Sequence, residues 1–89
     1  KVGADIIKTN SFGTMPWVLE EYGLEDKAYE LTYLGCKLPK EVCQEFSKDK
    51  PRFCAASFGP GTKLPSLNHI DYDTMYDGYI ECAKGAKDA

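Results

Sequence analysis

Apolar and polar positions along the chain follow two different rhythms. Two short runs, Ala4–Thr9 and Arg52–Ser57, are dense in apolar and small residues and are bounded by turn formers, Gly3 and Asn10–Gly13 for the first, Pro51 and Phe58–Gly61 for the second. Each predicts a buried strand. Elsewhere the apolar positions recur every three or four residues. Thr14 is placed to cap a short helix with Pro16 in its first turn, Trp17, Val18 and Tyr22 as its packing side, and Gly23 as its stop. From Leu24 the series Leu24, Ala28, Leu31, Gly35, Leu38 and Val42 predicts an amphipathic helix to about Phe46. Pro39 lies inside it and predicts a kink or restart between Gly35 and Lys40. After a loop through Pro65 and Asn68, Asp71 is set to cap a last helix, with Ile70 and Met75 as a hydrophobic staple. Its packing stripe is expected at Tyr72, Tyr76, Tyr79, Ala83 and Ala86.

The order strand, helix, strand, helix is that of consecutive β/α units with parallel strands and right-handed crossovers. Strands apolar on both sides need cover on both sides, and two units supply it on one side only. The fold class expected is therefore α/β, with residues 1–89 forming two consecutive β/α units of a larger, incomplete (β/α)8 barrel, or of an open doubly wound sheet as the alternative. The Gly-then-Asp lead-in to the first strand recurs at Gly85–Asp88, as though a third strand were to follow.

Composition narrows the function classes. The net charge is -3 and the ten lysines and Arg52 are scattered along the chain, which disfavours nucleic acid as a partner. No stretch has the roughly 18 to 20 apolar residues needed to cross a bilayer, and no apolar leader opens the chain. The expected setting is cytoplasmic, with no membrane partner. Cys36 and Cys43 lie seven apart in a helical pattern, too distant along the axis to pair, and Cys54 and Cys82 sit in apolar surroundings. All four read as packed thiols and none as a metal ligand; no C-x-x-C pair is present, and His69 has no second ligand at metal-site spacing. The carboxylate pairs Glu20–Glu21 and Glu25–Asp26 fall on helices away from the strand exits and read as solvated surface.

In parallel β/α folds, ligands meet the carboxyl ends of the strands. That singles out Thr9–Gly13, with a carboxamide, hydroxyls and an aromatic ring, and Ser57–Thr62, whose glycines let a ligand approach the backbone. Taken alone, both segments are equally ordinary turn chemistry. The glycine-rich one lacks the Lys of a Walker loop and the third Gly of a dinucleotide fingerprint, which disfavours nucleotides.

Read in series, Gly3–Ile7, Thr9–Phe12, Tyr22–Asp26, Lys50–Phe53, Phe58–Pro60 and Lys63–Leu67 resemble the homocysteine S-methyltransferase family. The resemblance implies that the chain is the second and third β/α units of a barrel whose full-length protein moves a methyl group to the homocysteine thiolate and forms methionine. It implies zinc, held by three cysteine thiolates from late strands, and, in the members this chain is most similar to, cobalamin as methyl carrier with cobalamin- and folate-binding domains as further partners. None of Cys36, Cys43, Cys54 and Cys82 matches the zinc ligands, so no metal and no catalytic residue is assigned here. This segment alone is expected to be inactive. The positions that match are substrate-binding: Asn10, Ser11 and Phe12 after one strand, Gly59 and Pro60 after the next, lining the pocket around the amino-acid end of homocysteine. Pro39 departs from the family, where a helix former is usual. S-methylmethionine or betaine remains open as the donor. So does a stand-alone α/β binding module without catalysis, and so does self-association in which copies supply each other's missing strands.

Overall fold

The computed structural model describes residues 3–59, 61 and 70–89. Two short strands, β1 (Ile6–Lys8) and β2 (Phe53–Ala55), pair in parallel with Ile6 opposite Phe53, Ile7 opposite Cys54 and Lys8 opposite Ala55. Helix α1 (Pro16–Leu19) follows β1 and continues as a 3-10 turn over Glu20–Tyr22 to Gly23, whose φ of 70° closes it in the left-handed region. A second 3-10 turn, Glu25–Lys27, leads into the long helix α2 (Ala28–Glu45), and α3 (Tyr72–Asp88) ends the chain. The architecture is α/β with a two-stranded parallel sheet, as the order of apolar runs predicts.

Two-fold alternation along the strands separates their faces. Ile7 and Cys54 point to the side on which α2 packs and are half-buried, whereas Ile6 and Phe53 on the other side are 62% and 61% exposed. Within this chain the strands are therefore covered on one side only, as expected of two strands and their helices. The helices cover one face and leave the other bare. At the amino ends, Asp5 pairs with Lys50 at 2.8 Å and with Arg52 at 3.6 Å, and Phe53 donates its N–H to the Asp5 carbonyl at 2.9 Å.

The core lies among the helices. Met15, Trp17, Leu19, Ala28, Ile70 and Cys82 form it, with Val18, Leu31, Phe58, Met75 and Tyr79 packed against it. Ile70 and Met75 thus both reach it, as a staple requires. Trp17 and Tyr79 meet with tilted rings 6.1 Å apart. Tyr22, expected on the packing side, is exposed, and Leu19 takes its place.

Helix packing depends on close approach of small residues; Ala28, Leu31 and Gly35 on α2 and Tyr79 on α3 face inward as expected, and the rest of each stripe is shifted. On α3 the buried residues are Gly78, Cys82 and Gly85, while Tyr72 and Tyr76 are exposed and stack on each other at 6.1 Å. A Cβ on Gly78 would overlap the Trp17 ring, and one on Gly85 would lie 2.7 Å from the Tyr29 carbonyl oxygen. The glycines bring α3 against α1 and α2, and the Tyr72 and Tyr76 rings point away while Tyr79 packs on Trp17. On α2 the buried residues are Ala28, Thr32, Cys36 and Cys43; Leu34, Leu38, Val42 and Phe46, spaced by four, form an exposed row. The restart expected at Pro39 does not occur, and α2 is one continuous helix. Cys36 before the proline and Cys43 after it are both buried. Thr14 does not cap α1. Met15 holds that position, and the Thr14 hydroxyl lies between the Ser11 carbonyl and Thr32 Oγ1 at 2.8 and 2.7 Å. Asp71 does cap α3, its carboxylate accepting from Thr74 N–H at 2.7 Å.

Candidate functional site

Beyond β1 and β2 the two chains leave the sheet at the same end, and four polar groups join them. Thr9 N–H donates to the Ala55 carbonyl at 2.9 Å, continuing the ladder. Past that rung, Ser57 N–H donates to Thr9 Oγ1 at 2.9 Å, and Ser11 Oγ donates to the Ser57 carbonyl at 2.7 Å. The two hydroxyls are 2.6 Å apart. Each hydroxyl has one hydrogen. Because Ser11 uses its own on Ser57, Thr9 is the donor between them, and the ring of hydrogen bonds closes. Thr9 and Ser11 are both buried and Ser57 is half-buried.

Phe12 and Gly59 meet above this ring. Phe12 is 55% exposed and Gly59 is buried, and a Cβ on Gly59 would overlap the edge of the Phe12 ring. Gly59 is thus glycine for space. Gly61, with φ of 73°, sits over Trp17 and Val18 and fastens the second exit to α1. Asn10 lies elsewhere. It borders an open groove of about 480 Å³ with Thr14, Leu31, Leu34 and Gly35, and its carbonyl comes so close to α2 that a Cβ on Gly35 would stand 2.5 Å from the oxygen.

Of the residues expected to bind substrate, then, Phe12 and Gly59 are in contact, Ser11 joins the exits beneath them, and Asn10 borders the α2 side. Pro60 lies outside the described residues, as do His69, the loop through Pro65 and Asn68, and the Lys63–Leu67 segment. The hydroxyl of Ser11 faces protein on both sides and is not a free donor.

A profile of the homocysteine S-methyltransferase family matches residues 1–89. The methionine synthase of Mycobacterium tuberculosis (strain ATCC 25618 / H37Rv) is 38% identical over 89 residues, covering 99% of this chain and 8% of that protein. That of Mycobacterium leprae (strain TN) is 38% identical over 89 residues, covering 99% of this chain and 7% of the protein. The chain belongs to the homocysteine S-methyltransferase family. It spans less than a tenth of the length of these relatives.

The thiols present do not fit the zinc centre that this family membership brings to mind. Cys54 faces α2 with Cys43 beside it and Cys36 nearby, and Cys82 is in the helical core against Met15 and the Thr14 carbonyl. None is at a strand exit. Burial is the main cause that pushes the Cys54 and Cys82 thiols above their ordinary range. Among the described residues no three His, Cys, Asp or Glu side chains are grouped to hold a metal ion.

Proposed function

We propose that residues 1–89 are two β/α units of a (β/α)8 barrel in a methionine synthase, and that they supply one wall of its homocysteine pocket. In this reading the full-length protein transfers a methyl group to homocysteine to form methionine in the cytoplasm, a reducing compartment in which free thiols persist. Zinc and cobalamin would be held by other parts of that protein, together with its cobalamin- and folate-binding domains. The bare face carrying Ile6 and Phe53 supports the barrel, because those side chains would point into its packed interior.

The observation that carries the reading is the convergence of two segments resembling the family at one end of the sheet, Phe12 against Gly59. There a half-exposed aromatic ring offers an apolar wall for the methylene chain of homocysteine. Gly59 offers backbone at close range to its amino-acid end, and Asn10 contributes an exposed amide from the flank. Ser11 holds the two turns together.

The test is methionine formation by the intact protein, supplied with homocysteine and, separately, methylcobalamin with 5-methyltetrahydrofolate, S-methylmethionine or betaine. Methionine from the first donor set is expected. Methionine from one of the other two alone would move the chain to a different branch of the family, and none from any donor would refute the reading.

A further inference from the structure

The parallel ladder between β1 and β2 has two further rungs in its repeat, and neither is made by backbone alone. Phe53 N–H bonds to the Asp5 carbonyl and Thr9 N–H to the Ala55 carbonyl. Stepping by two, the next rungs would run from Ser57 N–H to the carbonyl of residue 9, and from the N–H of residue 11 to the Ser57 carbonyl. At both places a hydroxyl stands in. Thr9 Oγ1 accepts from Ser57 N–H, and Ser11 Oγ donates to the Ser57 carbonyl.

A side-chain rung is longer than a backbone rung. It lets the two main chains part while both polar groups of Ser57 stay satisfied, which buried backbone requires. Two residues beyond Ser57, Gly59 meets the Phe12 ring edge.

We infer that Thr9 is a positioning residue for the homocysteine pocket: without touching the ligand, its hydroxyl fixes Ser57 and thereby the placement of Gly59 beneath the Phe12 ring. The inference rests on the pocket proposed above. Thr9 serves both halves of the device, accepting from Ser57 and donating to Ser11, so a β-branched residue without the hydroxyl would keep the strand and lose the splice.

The experiment is steady-state kinetics of the intact methyltransferase carrying Thr9→Val, Thr9→Ser or Ser11→Ala, with homocysteine varied. Thr9→Val is expected to raise the homocysteine KM about tenfold, the scale of one net hydrogen bond, while kcat stays within about twofold. Thr9→Ser is expected to restore the KM, and Ser11→Ala to raise it as Thr9→Val does. An unchanged KM in Thr9→Val, or a Thr9→Ser enzyme as impaired as Thr9→Val, would overturn the inference. Failure of both Thr9→Val and Ser11→Ala to fold would also overturn it, since the ring would then be structural support only. A wild-type enzyme that shows no saturable dependence on homocysteine would instead refute the pocket itself, and the two failures are distinguishable.

Discussion

Phe12 and Gly59 share a single space at the carboxyl end of the sheet: the ring edge of one fills the volume that a side chain on the other would need. Because Phe12 is half-exposed, it can swing aside at small cost, so the contact governs the shape of the exit more than stability. Gly59→Ala is therefore expected to change unfolding free energy by less than about 1 kcal/mol, yet to raise the homocysteine KM of the intact enzyme about tenfold. The double variant with Phe12→Ala should be no worse than Phe12→Ala alone. Additive effects in that cycle would mean that the two residues act independently.

Gly35 presents the opposite case. Alanine is favoured over glycine inside a helix by about 1 kcal/mol. Here, however, the added Cβ would meet the Asn10 backbone carbonyl at 2.5 Å, and a backbone atom cannot rotate away. Overpacking of roughly 1–3 kcal/mol outweighs the propensity gain, so Gly35→Ala should destabilise the protein in denaturant titration. A stabilised variant would show that the first exit does not rest on α2.

Acid should weaken two contacts of the chain. The Thr74 hydrogen bonds hold the Asp71 carboxyl below its ordinary value of 3.8, and Lys50, through its hydrogen bond and its charge, does the same for Asp5. A carboxyl lowered in the folded state adds stability above its ordinary value and loses it as pH falls through the folded one. Asp71→Ala should thus lower the thermal midpoint at neutral pH, and the difference from wild type should shrink below pH 3.8. A difference that persists unchanged into strong acid would show that the cap does not depend on the charge.

Cys82 should be inert while the protein is folded. It is fully buried, and burial pushes its thiol upward. At pH 8 a thiol reagent such as iodoacetamide should leave it unlabelled in native protein and label it after denaturation. Fast native labelling of Cys82 would contradict the packing of α3 against Met15.

Element order and parallel pairing were legible because apolar runs bounded by turn formers and three-to-four spacing report the type of element directly. So were the Asp71 cap, Pro16 at the start of α1 and the left-handed stop at Gly23. The helix faces were legible only in part, with Ala28, Leu31 and Tyr79 inward as read, because the rule that large apolar residues face inward fails where glycines set the distance. Gly78 and Gly85 bury α3 by close approach, and Tyr72, at 75% exposed, is left outside. The strand exits were recognisable as places, but not the use of their hydroxyls. Ser11 looks the same in sequence whether it faces a ligand or the Ser57 carbonyl; only the geometry of both exits together decides.

The exposed row Leu34, Leu38, Val42 and Phe46 and the bare Ile6–Phe53 face set a condition on the whole protein. In the proposed barrel both are covered by neighbouring units. Hydrogen exchange of the intact protein should therefore find the amides of β1, β2 and the central turns of α2 strongly protected. Exchange as fast as that of an isolated pair of strands would leave these surfaces open to water and contradict the barrel.

The most direct measurement is a crystal structure of the intact protein with homocysteine bound. The amino-acid end of the ligand is expected beside the turn at Gly59, with its methylene chain against Phe12 and the Thr9, Ser11 and Ser57 hydrogen bonds intact below. Homocysteine bound with no contact to Asn10, Phe12 or Gly59 would contradict the account.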